Sequence, residues 1–386
     1  MAELRSHPVP RIAAAFGDLT DPRTGPALRH PLLDVLTIAL CAIICGEETW
    51  IGVEEWAGIR EEVLTAWLGL THGIPSHDTF GRVFARIDPI QFEAGFLRWT
   101  QDALPDRPVA DVLAIDGKTV RRSGNARVGQ SPLHLVSAFA CAQRLVLGQE
   151  AVADKSNEIT AIPLLLERLV LRDQVVTIDA MGCQRSWAAQ IVDQGGDYVL
   201  ALKDNQSTML EDVIDGFAMA DRTADPGLVT TTTIEKGHGR REHRCCDVLA
   251  DPDFIAWLDP DRQWPGLQSV VRVTATRIPG EATPESGTIA VRHYLSSLPP
   301  DAVRLNRVIR SHWAVENGLH WVLDMTYRED ERRVRVGYGQ QNLAVLRKLT
   351  LNLVRHAPDR GKRSLAMQRK RAGWSMDVLY SILGIS

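Results

Sequence analysis

The sequence predicts a mixed α/β fold in which a helical segment precedes a sheet covered by helices, with a β-rich stretch inserted late. Three observations predict it. Apolar residues recur at helical spacing through roughly the first 105 positions. Short β-branched runs then take over near residue 110 and alternate with amphipathic helical patterns. Closely spaced strand patterns fill positions 206–300 before a long helical stretch returns at Asp301.

Helical periodicity covers Leu32–Ile44, Trp50–Trp67 and Phe92–Leu104. Gly73-Ile74-Pro75-Ser76 breaks the pattern, and Ser76 is placed to cap a helix beginning at His77. That helix carries short polar residues at its start and Arg82 one turn on, which suits the recognition helix of a helix-turn-helix unit. The alternative is an ordinary capped helix packed on its neighbours. Strands are predicted at Val112–Ile115, His134–Ala140, Leu145–Ala153, Val175–Asp179 and Tyr198–Leu202, with helices at Glu158–Leu169 and Ser186–Asp193. Three consecutive strands followed by alternating helix and strand give a mixed sheet, the order of a ribonuclease-H-like core. Val229–Glu235 and Arg241–Leu249 flank Gly237-His238-Gly239 as a hairpin, and Ser269–Arg277 and Thr288–Leu295 add two strands. Asp301–Arg335 holds no proline and reads as one long helix, with a break expected near Gly318; a further helix covers Gln341–His356, and a basic tail follows.

Composition narrows the function. The chain has 386 residues, 45% hydrophobic and 24% charged, as soluble multidomain proteins do. Leu32–Gly46 is the longest apolar run and contains Asp34, so a bilayer span is excluded and a buried helix expected. The first residues lack a secretory pattern, which places the protein in the cytoplasm. The six cysteines show no C-x-x-C spacing and read as reduced residues in or near cores. Net charge is −4, yet Asp301–Ser386 contains 16 Lys+Arg against 8 Asp+Glu, a net of +8, leaving −12 for the first 300 residues. A basic C-terminal third on an acidic body is a candidate phosphate-binding face.

Two aspartates stand where strands are predicted to end, Asp116 before Gly117-Lys118 and Asp179 before Ala180-Met181-Gly182. Strand ends in helix-covered sheets are where sites are built, and a carboxylate beside glycine suits a hard cation; a turn cap is the alternative. Two-metal phosphodiester chemistry needs a further acid. Glu316 supplies it, in an apolar and aromatic stretch with His312 and His320 one turn to either side. Burying that charge is costly unless it is paired or metal-bound. The acids Asp324, Glu329, Asp330 and Glu331 read as a solvated face. The His312–Glu316–His320 spacing also permits zinc, although it lacks the H-E-x-x-H form of a metalloprotease. No Gly-rich phosphate loop is present, so no nucleotide cofactor is implied.

Taken in order, these segments resemble the H-repeat-associated insertion-sequence transposases of the DDE superfamily. The resemblance runs from about Asp21 to Val354 and rests on Asp21-Pro22-Arg23, His30-Pro31-Leu32, Gly73-Ile74-Pro75-Ser76-His77-Asp78-Thr79-Phe80, Ala114-Ile115-Asp116-Gly117-Lys118 and Lys155-Ser156-Asn157-Glu158. It continues through Thr177-Ile178-Asp179-Ala180-Met181-Gly182, Gly237-His238-Gly239-Arg240 and His312-Trp313-Ala314-Val315-Glu316-Asn317.

The resemblance implies a DNA transposase that cleaves element ends and transfers the strand into target DNA. Asp116, Asp179 and Glu316 are the implied catalytic and metal-holding acids, with two Mg²⁺ or Mn²⁺ ions. Its partners would be double-stranded DNA, both terminal inverted repeats and target, acted on by a homodimer at the nucleoid. The alternative is a domesticated, catalytically inactive DNA-binding descendant.

The expected division is a helical, DNA-binding part at 1–105, a ribonuclease-H-like catalytic core from 110–205 and 301–356, a β-rich insertion at 206–300, and a basic tail at 357–386. Related transposases carry tyrosine, arginine and lysine around the third acid; aligned on Glu316, this chain has Ile309, His312 and Leu323 there. The phosphate-holding role must pass elsewhere, and His312 and Arg310 are candidates. Lys118, Arg121, Arg122, Lys155, His238 and Arg240 are the other expected DNA contacts, with solvated surface as their alternative.

Overall fold

Apolar spacing becomes helix throughout the first hundred residues: α1 (Pro10–Phe16), α2 (Leu32–Ile44), α3 (Trp50–Gly58), α4 (Glu61–Leu68), α5 (His77–Arg86) and α6 (Pro89–Ala103). The computed structural model describes residues 9–25, 28–103, 112–125, 127, 129–152, 158–179, 183–237, 239–279 and 287–385. α2 is buried on nearly every side, as a helix apolar all round must be. The stretch expected as one helix from Trp50 to Trp67 is two, because the chain leaves helical geometry at Arg60 (ψ 18°) before α4 restarts. Ser76 caps α5 as expected, its Oγ accepting from the Thr79 N–H.

Nine strands form one sheet in the order β3-β2-β1-β4-β5-β9-β8-β7-β6. β1 (Val112–Thr119), β2 (His134–Ala140) and β3 (Leu145–Ala151) are antiparallel neighbours, while β4 (Val175–Ile178) and β5 (Asp197–Leu202) run parallel to β1. This is the ribonuclease-H-like arrangement expected. Alternation assigns the two faces. Leu113, Ile115, Val176, Ile178, Leu200 and Leu202 pack with α7 (Glu158–Arg168) and α8 (Arg185–Asp193). Ala114, Val175, Val199 and Ala201 join the opposite core, which is continuous with the N-terminal helices. α11 (Ala302–His312) and α13 (Gly339–Arg355) belong to that second face.

The stretch 206–300 is less purely β than expected, since it opens with the 17-residue helix α9 (Ser207–Thr223) and contains α10 (Pro252–Leu258). Its strands β6 (Val229–Gly237), β7 (Arg240–Leu249), β8 (Ser269–Pro279) and β9 (Thr288–Ser296) do not make a separate sheet. β9 pairs antiparallel with β5 and extends the central one, which removes an exposed edge.

The long helix expected over Asp301–Arg335 is shorter and interrupted. α11 ends at His312, a π-turn covers Glu316–His320, and α12 (Trp321–Met325) closes it. α13 is buried along almost its whole length between the sheet and the N-terminal helices. There the Asn352 side-chain amide satisfies edge strand β3, its Nδ2 donating to the Val146 carbonyl at 2.8 Å and its Oδ1 accepting from the Val146 N–H at 3.0 Å. The basic tail folds into α14 (Leu365–Trp374) and α15 (Met376–Leu383), and Arg369 of α14 reaches Glu48 at 2.6 Å. Among the described residues no helix is long and apolar enough to cross a membrane.

Candidate active site

Strand register brings the two aspartates together. Parallel pairing of β1 and β4 ends at Ile115 opposite Ile178, so Asp116 and Asp179 occupy the next position on adjacent strands. Neighbouring strands lie roughly 4.8 Å apart, and both side chains share the face of Ala114 and Thr177. Asp116 is not the last residue of its strand, as the sequence suggested: β1 continues to Thr119 through antiparallel pairing with β2. It sits where β1 loses one neighbour and keeps the other.

α11 crosses this face, with His312 Nδ1 2.9 Å from Thr177 Oγ1. The π-turn after it carries Glu316 and His320; such bulges recur at functional sites. His320 Nδ1 lies 3.5 Å from Asp116 Oδ2 and 3.8 Å from Glu316 Oε2. One ligating atom from each of Asp116, Glu316 and His320 falls within 4.8 Å of the other two. Glu316 is not buried as expected, its side chain being 56% exposed.

Burial is the main cause that pushes the Asp116 carboxyl up to about 6; Glu316 and Glu158 add to the effect, while His320 and the Gly117 N–H oppose it. The hydrogen bond to His320 holds Glu316 below the usual carboxylate range, with Asp179 acting against it. Burial lowers the proton affinity of His312, although Asp179 and Glu316 favour its cation.

Asp179 faces cations. Lys203 Nζ is 2.9 Å from one oxygen and Arg292 Nη1 3.9 Å from the other. Arg292 and Arg277 both lie against the Trp313 ring, at 5.8 and 6.0 Å from its centroid. On the far side of Asp116, Glu158 Oε1 meets His134 Nε2 at 2.7 Å, and His134 Nδ1 meets Thr119 Oγ1 at 2.7 Å. A Cβ on Gly117 would come within 2.1 Å of Glu158 Oε1. The glycine therefore admits a carboxylate of the same chain.

The expected DNA contacts divide. Lys118 is enclosed by acids, 2.6 Å from Asp324, 2.8 Å from Glu329 and 3.6 Å from Asp330. Of the acids expected to form a solvated face, Glu329 is buried at 1% exposure, Asp324 and Asp330 are partly exposed, and Glu331 is exposed as expected. His312 is turned inward onto Thr177, and Arg310 pairs with Glu235 at 2.8 Å. Arg121 and Arg122 are exposed, Arg121 having Asp330 at 3.4 Å. Arg240 opens β7, while Lys155 and His238 lie outside the described residues.

Sequence reasoning had His320 only as a partner in a zinc alternative, and missed Lys203, Arg292 and His134 altogether. Lys203 follows Leu202, which pairs with His293, so Lys203 and Arg292 stand at neighbouring positions of the β5–β9 ladder. Only that pairing would have shown them.

The donor set fits a divalent cation. Two carboxylates and an imidazole suit Mn²⁺ readily, and the oxygens suit Mg²⁺. The buried Nε2 of His320 has no hydrogen-bond partner, leaving Nδ1 as the atom turned toward the acids.

Comparison with known proteins accords with this geometry. The family described as "Transposase DDE domain" matches residues 107–353, and the one described as "DDE_Tnp_1-associated" matches residues 13–100. The chain is 35% identical over 364 residues to "Putative transposase YncI" of Escherichia coli O157:H7, covering 94% of this chain and 91% of that one. It is also 35% identical to "H repeat-associated putative transposase YhhI" of Escherichia coli K12, covering 92% and 93%. A 45% identity over 271 residues relates it to "Uncharacterized protein in dhlA 3'region" of Xanthobacter autotrophicus, covering 70% and 90%.

Proposed function

Because this chain belongs to the DDE transposase family, we propose that it cleaves phosphodiester bonds at the ends of a DNA element and joins the freed 3′ ends to target DNA. The observation that carries the reading is the meeting of Asp116, Glu316 and His320 beside Asp179 on one face of the sheet.

Asp116, Glu316 and His320 would hold one divalent cation, and Asp179 would share a second with Glu316, whose charge it already feels. When bound, Mg²⁺ or Mn²⁺ supplies Lewis-acid polarisation of the phosphodiester and steadies its attacking and leaving oxygens. The chain's own groups do the rest. Lys203 and Arg292 offer fixed positive charge beside Asp179, where non-bridging phosphate oxygens would settle. They take the role that the residues around Glu316 leave open in this sequence. His320 orients Glu316 and Asp116 together, and Glu158 with His134 walls the opposite side. The protein would act on duplex DNA in the cytoplasm as a homodimer.

The test incubates the full chain with duplexes carrying the element's terminal repeats and either Mg²⁺ or Mn²⁺. Nicked ends and joined products are expected from the natural chain, and neither from Glu316→Gln. Binding without cleavage would replace this reading with that of an inactive DNA-binding descendant. Cleavage without joined products would reduce it to a nuclease.

A further inference from the structure

We propose that the exposed face of α5 and the segment Arg332–Arg335 form the two walls of a composite groove that grips the phosphate backbones of double-stranded DNA. The inference deepens the reading above and rests on it.

α5 buries Phe80, Val83 and Phe84 and turns Arg82 and Arg86 to solvent. Between this face and residues 331–337 runs an open groove of about 840 Å³, to which Arg332, Arg333 and Arg335 also contribute. A second groove of about 490 Å³ lies against α5 and shares Arg82 and Arg86; Arg29, His30 and His72 line it. α5 is thus a ridge with cations on both flanks. A helix of this width enters the roughly 12 Å major groove, which leaves its flanks facing the two backbones.

Some of the chain's other arginines are tied to carboxylates. Arg328 pairs with Glu331, Arg369 with Glu48, and Arg371 with Asp359. Among the described residues, Arg82, Arg86, Arg332, Arg333 and Arg335 form no ion pair within 4.0 Å, although the charge of Arg332 is felt by Glu48, which also lines the groove. The Nε atoms of Arg332 and Arg335 are buried with no acceptor. The acids that line the groove are engaged elsewhere: Glu48 with Arg369 at 2.6 Å, Asp78 beside His77 at 3.7 Å, and Glu331 with Arg328. Burial first, then His72, Arg23 and Arg29, disfavour a proton on His30. Like charges collected from three separate parts of the chain cost stability unless an anion covers them.

The groove is also tied to the site. Glu329, three residues before Arg332, holds Lys118, which is two residues past Asp116. Ile51 and Val336, 59% and 74% exposed, add apolar surface to the groove. That surface would suit a protein partner, but five unpaired arginines favour a polyanion.

The experiment measures binding of the full chain to a fluorescent 30-base-pair duplex by anisotropy, from 50 to 300 mM salt. Each phosphate contact contributes about 0.9 to the slope of log affinity against log salt. Arg332→Gln/Arg333→Gln/Arg335→Gln should therefore lower the slope by about 2–3 and weaken binding at 100 mM salt by roughly one to two orders of magnitude. Arg82→Gln/Arg86→Gln, confined to an exposed face, should lower the slope by about 2 and gives the same reading if the triple variant misfolds. Unchanged affinity and slope in both variants, with the natural chain binding DNA, would overturn the groove and leave the function standing. Loss of self-association in place of DNA binding would overturn it in favour of a protein interface. A natural chain that binds no duplex at all would overturn the function as well.

Discussion

Replacing Asp116 with asparagine should stabilise the metal-free protein while destroying its site, and structure fixes the pH range in which this occurs. The carboxyl of Asp116 is raised from an ordinary value of 3.8 to about 6, chiefly by burial. Below pH 3.8 the group is protonated in folded and unfolded chains alike and costs nothing. Between 3.8 and 6 the unfolded chain releases its proton while the folded chain retains it, so stability falls as pH rises. Above 6 the folded protein carries a charge it disfavours, and the cost levels off. A shift of roughly two units corresponds to about 3 kcal/mol at that plateau. Asparagine keeps an oxygen for the Gly117 N–H, now 2.9 Å from Asp116 Oδ1, and loses the partial contact with His320. The net gain should be about 1–3 kcal/mol above pH 7, and should vanish near pH 4. Urea unfolding in EDTA at pH 4 to 8 measures it. An Asp116→Asn protein no more stable than the natural one at pH 8, or more stable by the same amount at every pH, would refute the strain assigned to this carboxylate. The same variant should fail to cleave.

Two further outcomes test the walls of the site. Lys118→Met removes the closest cation from the buried Glu329, leaving Arg347 at 3.9 Å and the nearby Lys348, and should cost about 3–5 kcal/mol in denaturant unfolding; unchanged stability with a smaller salt slope for DNA would restore Lys118 as a phosphate contact. Gly117→Ala sets a methyl 2.1 Å from Glu158 Oε1 and should destabilise by about 1–3 kcal/mol. The Glu158→Ala background should remove part of that penalty, His134 Nε2 remaining 2.7 Å from the methyl, and fully additive effects in the double variant would show that residues 117 and 158 do not meet.

Much of the fold was legible because periodicity is a local property. The strand at His134–Ala140 has the ends its β-branched run announced, and Ser76 caps the helix it was expected to cap. What could not be read depends on contacts between distant segments. Asp116 looked like a strand end because apolar alternation stops there, yet pairing with β2 carries β1 three residues further. The acids near Glu329 looked solvated because their neighbours are polar, yet Lys118 and Arg347 arrive from elsewhere to pair them. Glu316 looked buried because its sequence neighbours are aromatic, but Trp321 is itself 59% exposed, and Glu316 and Asn317 are the exposed residues of a π-turn whose other three are buried. Helical periodicity also ran on from Met325 toward Arg335, where Arg328 in fact adopts a left-handed φ of 49° and ends the regular turns. In each case the sequence supplied the residue, and tertiary pairing decided its role.

On the proposed reading, the late β-rich stretch has a chemical role. By extending the central sheet from β5, β9 delivers Arg292 to the same carboxylate that Lys203, one position past Leu202, already holds. Trp313 stacks beneath Arg292 at the end of α11, so the guanidinium is fixed from two sides. The face consequently has two unlike halves. Around Asp116 are two acids, Glu316 and a nearby Glu158, and the imidazole of His320, donors that suit a cation. Around Asp179 are two fixed cations, gathered where a phosphate is wanted. A catalyst of phosphodiester exchange needs both signs within one strand's width. Of the two cations, Lys203 follows the core strand β5, and only Arg292 comes from a strand added beyond that core.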